Sequence, residues 1–266
     1  MVDDDRTIRD FGDQWSHYGS NEGFYASLEL LQDVLGPLVD VAEFHGCRVA
    51  DIGSGTGRIV QMLLAAGAAH VVAVEPSVGV EILRSNTRRF GERVEVIHGS
   101  GEVLPRGREL DFVVSIGVIQ FIEDPLPTFE AARAALRPGG RLLISVYGRE
   151  GNELYVRLVQ ALRLITTRLP HRALAGLSSA LAVCVDAYLV ACRWLPLPMG
   201  DYMRKTFARV EPEKRKLTIY DQLNPAYARY YREAEIRKLL EAAGFGGIRM
   251  HHRHGITWTA LGVKPV

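Results

Sequence analysis

Three glycines at alternate positions mark the segment with the clearest chemical potential, Asp51-Ile52-Gly53-Ser54-Gly55-Thr56-Gly57. The segment follows the apolar run Arg48-Val49-Ala50 and precedes a helical pattern. Glycine there lets the main chain turn sharply and lets a small ligand lie against it with no Cβ between. The N–H groups of such a bend, and of the helix start behind it, can hold a carboxylate. Glu75 closes the next apolar run, His70-Val71-Val72-Ala73-Val74. An acid at that strand end of a doubly wound sheet accepts hydrogen bonds from ribose hydroxyls. A glycine loop taken alone is equally compatible with a tight turn; the acid at the right strand end and the motifs that follow weigh against that reading.

These groups need a sheet to bring them together, and the pattern supplies one. Further apolar runs at Val94–His98, Leu110–Val118 and Arg141–Val146 read as strands. Helical spacing separates them at Arg58–Ala66, Val80–Phe90 and Pro125–Leu136. Strands alternating with helices predict βαβ units, a mostly parallel sheet and right-handed crossovers. The alternation stops near Gly148, and residues 149–215 read as helical. It returns with a helix over Glu233–Ala243 and two short strands, Ile248–His252 and Thr257–Val263. Those two are too close for a helical crossover and should pair antiparallel. At the other end, Phe24, Leu28, Leu31, Val34, Leu35 and Leu38 predict one amphipathic helix within 24–42.

Composition bounds the functions open to such a chain. Its 32 Lys and Arg nearly balance 31 Asp and Glu, a net charge of +1. A nucleic-acid binder usually carries a basic excess or stripe, so no nucleic-acid partner is expected. Cys47, Cys184 and Cys192 have neither zinc nor Cys-x-x-Cys spacing, and reduced thiols are expected. The acidic start Met1-Val2-Asp3-Asp4-Asp5 lacks the apolar stretch of a signal peptide. A cytoplasmic location is the expectation.

The motifs, in their order along the chain, resemble class I S-adenosylmethionine-dependent methyltransferases. Asp51-x-Gly53-x-Gly55-x-Gly57 resembles the first motif of that family and Val74-Glu75-Pro76-Ser77 the second. Gly99-Ser100-Gly101-Glu102-Val103-Leu104-Pro105 resembles the segment beside the adenine. Ser115-Ile116-Gly117-Val118-Ile119-Gln120 resembles the fourth motif, and Leu136-Arg137-Pro138-Gly139-Gly140-Arg141-Leu142 the turn into strand five. The likeness covers about residues 45–148 with the final helix and strand pair.

The resemblance implies a seven-stranded, mostly parallel Rossmann-like sheet with an antiparallel last strand. It divides the chain into an N-terminal helical lid over 1–44, a cofactor-binding core over 45–148, a helical cap inserted after strand five over 149–231, and a closing helix and strand pair over 232–266. The implied cofactor is S-adenosyl-L-methionine. In such a site Gly53, Ser54, Gly55 and Gly57 pack on it, Asp51 supports its ammonium end, and Glu75 holds both ribose hydroxyls. Pro76, Ser100, Gly101 and Glu102 border the adenine, while Ser115 and Ile116 face the methionine portion. Two positions depart from the family. Ser100 stands where an acid often reads the adenine amino group, and Gln120 stands where histidine is frequent.

Methyl transfer from a sulfonium is an in-line displacement whose electrophile comes with the cofactor, so the protein aligns and desolvates. Trp15, His17 and Tyr18 precede the first amphipathic stretch, where relatives fold a segment over the cofactor. His17, Tyr18 and Gln120 are the catalytic candidates. Tyr202, Tyr220, Asp221, Asn224 and Tyr227 are the candidates in the cap for touching substrate. His252 and His254 would share one face of a strand with His251 opposite, an ordinary polar strand rather than a metal site. Ala173–Cys192 is nearly apolar and just long enough to span a bilayer, with Asp186 inside it. A buried cap helix is the preferred reading; a membrane reading takes the form of peripheral docking toward a lipid-linked substrate.

The leading function is methylation of an oxygen on a small natural product, sugar or lipid-linked intermediate. C- or N-methylation of a quinone-like or other small molecule is the alternative, and a non-catalytic cofactor-binding scaffold is another. A nicotinamide enzyme would carry G-x-G-x-x-G, and Gly57 falls one position early for it. Enzymes acting on planar amino groups often carry an Asn/Asp-Pro-Pro-aromatic run where this chain has Ser115-Ile116-Gly117-Val118. Oligomeric state is open.

Overall fold

A computed structural model describes residues 2–17 and 21–266, with side chains from residue 6 onward except those of residues 16, 17 and 171. Its strands are β1 (Arg48–Ile52), β2 (His70–Glu75), β3 (Val94–His98), β4 (Leu110–Ile116), β5 (Leu136–Tyr147), β6 (Gly246–Arg253) and β7 (Thr257–Val263). Its helices are α1 (Val2–His17), α2 (Leu28–Leu35), α3 (Arg58–Ala65), α4 (Val80–Thr87), α5 (Leu126–Ala135), α6 (Glu153–Thr166), α7 (His171–Ala191), α8 (Gly200–Lys205), α9 (Pro212–Leu223) and α10 (Glu233–Ala242).

The strands form one seven-stranded sheet in the order β3-β2-β1-β4-β5-β7-β6. β1 to β5 run parallel, and β7 lies antiparallel to both β5 and β6. The order reverses between β1 and β4, which opens a crevice beyond their C-terminal ends. Open α/β sheets take ligands at such a switch point. Alternation along each strand feeds two cores. Ala50 and Ile52 join Phe129, Leu240 and Trp258 on the side of α5 and α10. Val49 joins Leu31, Phe44, Leu63 and Phe112 on the side of α2 and α3. Burial on both faces explains why these strands read as continuous apolar runs.

Two elements depart furthest from the sequence expectation, for local reasons. The single helix expected within 24–42 is broken into α2 between two short 3-10 turns, Phe24–Ala26 and Val41–Phe44. Ser27 caps α2 by accepting from Leu30 N at 3.1 Å, and Gly36, at φ 57°, ends it. Strand five starts at Leu136, five residues early, because the Arg137-Pro138-Gly139-Gly140 bend is absorbed into the ladder. Pairing steps from Leu110↔Leu136 to Phe112↔Arg141 around Gly139, at φ 73°. That is a bulge, with a glycine supplying the positive φ.

The segment 149–231 leaves and rejoins the sheet at one point. Arg149 N donates to Tyr231 O at 2.9 Å, and Tyr231 N donates to Tyr147 O at 2.8 Å. Between them α6 to α9 stack over the crevice, with α7 lying on α9. Asp33 of α2 anchors this cap region. It accepts from Arg253 (2.5 and 3.0 Å), His254 (2.7 Å) and Thr206 (3.1 Å). α1 lies against the same region, with Phe11 on Phe121 at 4.8 Å between ring centres and Gln14 donating to Asp221.

Candidate functional site

The bend after β1 is built by the three glycines. Gly53, Gly55 and Gly57 all sit in the left-handed region, at φ 76°, 53° and 85°, where a Cβ strains the backbone. Gly53 N and Ser54 N donate to Val74 O at 2.8 and 3.0 Å, which stitches the bend to the end of β2. A Cβ on Gly53 would lie 2.5 Å from Val118, so close packing demands glycine there as well. Glu75 then closes the circuit. Its Oε2 accepts from Gly55 N at 2.7 Å, and its Oε1 accepts from Ser77 N at 3.0 Å and Ser77 Oγ at 2.5 Å. The carboxylate and the bend therefore stand within one hydrogen bond of each other. Three donors leave part of the carboxylate's roughly four lone-pair directions open.

Asp51 is the unusual group. It is 1% exposed, and its Oδ2 has no hydrogen-bond partner. Burial pushes its carboxyl up to about 7, against which the Ser54 hydrogen bond and the charge of Arg58 pull down only in part. A buried carboxylate oxygen with no donor is costly, and a donor brought by a ligand would relieve that cost. The consequence for stability is testable. The folded value lies above the unfolded 3.8, so the folded state binds the extra proton and stability falls as pH rises from about 4 to about 7. Asp51→Asn should thus raise the melting temperature of the ligand-free protein at pH 8 by an amount worth a few kcal/mol, on the order set by ~1.4 kcal/mol per pKa unit, and by much less at pH 4. Calorimetric melts of both proteins at the two pH values check this; equal gains at both would refute it.

The other residues marked by the motifs divide. Gly101 is buried, and a Cβ there would meet Thr128 at 2.6 Å and Ile52 at 2.8 Å. Ser100 and Glu102 are exposed at the short 3-10 turn Gly101–Val103, and Pro76 is half-buried beside Glu75. Ser115 donates to Ile52 O at 3.1 Å, which ties β4 to β1, and Ile116 lines the cavity described below. Trp15 covers the bend, its indole 3.3 Å from where a Gly55 Cβ would stand and 2.9 Å from that of Gly79. Gln120 is fully buried behind the cavity wall with both ends of its amide unpartnered. The His17 side chain and all of Tyr18 lie outside the described residues.

Between bend and cap lies a cavity of about 500 Å³, its wall largely apolar and aromatic. Gly53–Thr56, the ends of β4 and β5, Phe11 and Trp15 form one side; α6, α7 and α9 form the other. Gln222 organises the polar part. Its Nε2 donates to Tyr147 Oη at 2.7 Å, while its Oε1 accepts from Tyr155 Oη at 3.1 Å and Tyr230 Oη at 3.3 Å. Burial holds all three phenols above their ordinary range, so they remain protonated donors. Asp221, one residue earlier on α9, faces the same space and accepts from Gln14. Burial pushes Asp221 up to about 7, while Gln14, Arg58 and Lys214 pull it down.

Of the cap residues expected at the substrate, Tyr202 and Asp221 line the cavity. Tyr220 is buried among Leu174 and Leu223, Asn224 donates to Asp10 O at 3.1 Å, and the main chain of Tyr227 donates to Thr7. Sequence reasoning passed over Arg58, Tyr147, Tyr155, Gln222 and Tyr230, which lie far apart in the chain and carry no motif. The histidines do not converge. His252 stacks on Trp258 at 4.2 Å, and His251 packs on Gly36. His254 lies beyond β6 at φ 50° and pairs with Asp33, so it does not share a strand face with His252 as expected.

Comparison with known proteins agrees with this geometry. Residues 50–144 match a family model described as a methyltransferase domain. A ubiquinone biosynthesis O-methyltransferase of Dinoroseobacter shibae is 29% identical over 119 residues, covering 44% of this chain and 48% of that protein. The chain thus spans about half the length of the curated relatives it matches. A magnesium protoporphyrin IX methyltransferase from Synechocystis, solved with bound SAH, aligns over 98% of this chain and 100% of its own, with a TM-score of 0.55 at 17% identity. A SAM-dependent methyltransferase from Aquifex aeolicus aligns over 89% and 96%, with a TM-score of 0.50 at 16% identity. At those identities the two structures speak for the fold alone. Residues 50–144 thus match a methyltransferase domain, and the sheet order and the glycine bend joined to Glu75 agree with the fold of the solved S-adenosylmethionine-dependent methyltransferases.

Proposed function

We propose that this chain methylates an oxygen of a small, largely apolar molecule, with a ring of quinone or phenol type preferred over a sugar. The observation that carries this reading is the cavity, whose wall is shared by the glycine bend and by an aromatic, apolar cap. Ligand sites of this kind are mostly apolar, with a few polar groups that set orientation. The relatives' name, ubiquinone biosynthesis O-methyltransferase, supports an oxygen acceptor and a quinone-like substrate.

S-adenosyl-L-methionine, when bound, supplies the methyl group as an electrophilic sulfonium. The chain's own groups fit it. The unpartnered Asp51 Oδ2 is an acceptor for its ammonium end, the three glycines let the backbone lie flush against it, and Glu75 has lone pairs left for its sugar. Pro76, Ser100, Gly101 and Glu102 would border the adenine, and Ile116 the methionine chain. Trp15 covers the bend from α1, so α1 acts as the lid that excludes water. On the acceptor side, Tyr147, Tyr230 and Gln222 orient the ring, and Asp221 takes the hydroxyl proton as its oxygen becomes the nucleophile. A base near neutrality suits that task.

Calorimetric titration with S-adenosylmethionine, S-adenosylhomocysteine and NADH separates the leading reading from a nicotinamide enzyme. Binding of the first two and not the third is expected. Transfer of labelled methyl to hydroxylated quinones and phenols, with free sugars as the comparison, then tests the acceptor class. Equal or greater labelling of sugars would overturn the choice of acceptor, and cofactor binding with no transfer to any acceptor would leave the scaffold reading standing instead.

A further inference from the structure

α7 contradicts the expectation of a buried cap helix. Residues Arg172–Ala191 are apolar and long enough to cross a membrane, yet only 22% of the apolar stretch is buried inside the fold. Ala173, Gly176, Ala180, Val183, Ala187 and Val190 are exposed and recur at helical spacing, so they form one stripe. The stripe runs on into Trp194, 83% exposed, and Leu195. α6 adds Leu154, Leu158, Leu164 and Ile165, all exposed. A soluble surface rarely exposes so many large apolar side chains on two helices without a partner.

Charge indicates which partner. Residues 149–196 hold six arginines and three carboxylates, 6 − 3 = +3, whereas the whole chain is +1. Arg157, Arg168, Arg172 and Arg193 are exposed beside the apolar stripes, and no ion pair among the described residues involves them. Of the carboxylates, Asp186 is paired with Arg215 at 3.1 Å, and Glu150 is held by Trp258 at 2.9 Å. An apolar face with an exposed Trp and a rim of arginines matches the boundary of an anionic bilayer, where apolar side chains enter the acyl region and cations meet the headgroups. A second copy fits poorly, because a two-fold contact would bring arginine rims together.

We infer that the outer face of α6 and α7, with Trp194, docks this protein on the surface of an anionic lipid bilayer. α7 lies on the membrane rather than across it. It stays packed on α9 through Leu174, Tyr220 and the Asp186–Arg215 pair. The inner faces of the same two helices, at Leu162, Leu181 and Val185, form part of the cavity wall, and Leu158 belongs to both the cavity wall and the exposed face. A substrate with an apolar tail would thus find the cavity beside the lipid. Docking needs no methyl transfer, so its test stands apart from the proposed activity.

The test is sedimentation of the full chain with phosphatidylcholine vesicles, with and without phosphatidylglycerol, alongside tryptophan fluorescence and sedimentation velocity. The protein should be a monomer without lipid, should bind the anionic vesicles at least about tenfold more tightly than the neutral ones, and should show a blue shift that Trp194→Phe abolishes. Val183→Asp should weaken vesicle binding by about tenfold or more while leaving the melting temperature in place, since that side chain is 70% exposed. Val190→Asp serves as the second variant should Val183→Asp fail to fold. No binding to either vesicle, equal binding to both, binding indifferent to the aspartates, or a lipid-free dimer that the aspartates dissolve would each overturn the inference.

Discussion

Glu75→Gln should weaken binding of S-adenosylmethionine by about 100-fold or more, with the protein still folded. Hydrogen bonds to a charged acceptor contribute ~1.5–3 kcal/mol each, and two ribose hydroxyls are at stake, while ~1.4 kcal/mol is a factor of ten. The same change removes the charge that holds Gly55 N and Ser77 in place, so the bend loses preorganisation along with an acceptor. Titration calorimetry measures the affinity, and circular dichroism melting confirms that the variant is folded. A folded Glu75→Gln protein binding the cofactor within threefold of the original would remove the site from this end of the sheet.

Asp221→Asn is the corresponding experiment for the acceptor side. General-base catalysis typically contributes about 10²–10⁴-fold, so kcat should fall by that order while cofactor affinity is kept. The pH profile supplies the sharper criterion. Burial has pushed Asp221 up to about 7. The original enzyme should therefore gain rate as pH rises toward neutrality and the carboxyl loses its proton, and the variant should lose that limb of the profile. The linkage sign is the same as for Asp51. The folded value exceeds the unfolded one, so the ionised group costs stability above about pH 4, and Asp221→Asn should melt higher at pH 8. A variant that is more stable but equally fast would make Asp221 a wall of the cavity and nothing more.

The bend and its acid were legible in the sequence because each is a local property. Glycine at positive φ, an acid closing a strand and apolar runs of strand length are written in consecutive residues, and the parallel course of β1 to β5 follows from their alternation with helices. The largest boundary shifts came where local chemistry competed with periodicity, at the Ser27 cap, at Gly36 and at the Gly139 bulge. The fate of α7 was not legible, because an apolar helix has the same composition whether it is covered or exposed. Only the packing of α8 and α9 against it decides which of its faces is covered.

The chain's linear order thus determined its class of fold, the place of the glycine bend and the acid that answers it, since neighbouring residues and simple periodicity carry that information. The tertiary structure alone decided that Tyr147, Tyr155 and Tyr230 meet at Gln222, that Asp51 is stripped of water and Asp221 is held in the wall of an apolar cavity, and that an apolar face is left outward. Those features arise where segments distant in sequence converge, and burial, which sets their protonation and their partners, belongs to the assembled whole.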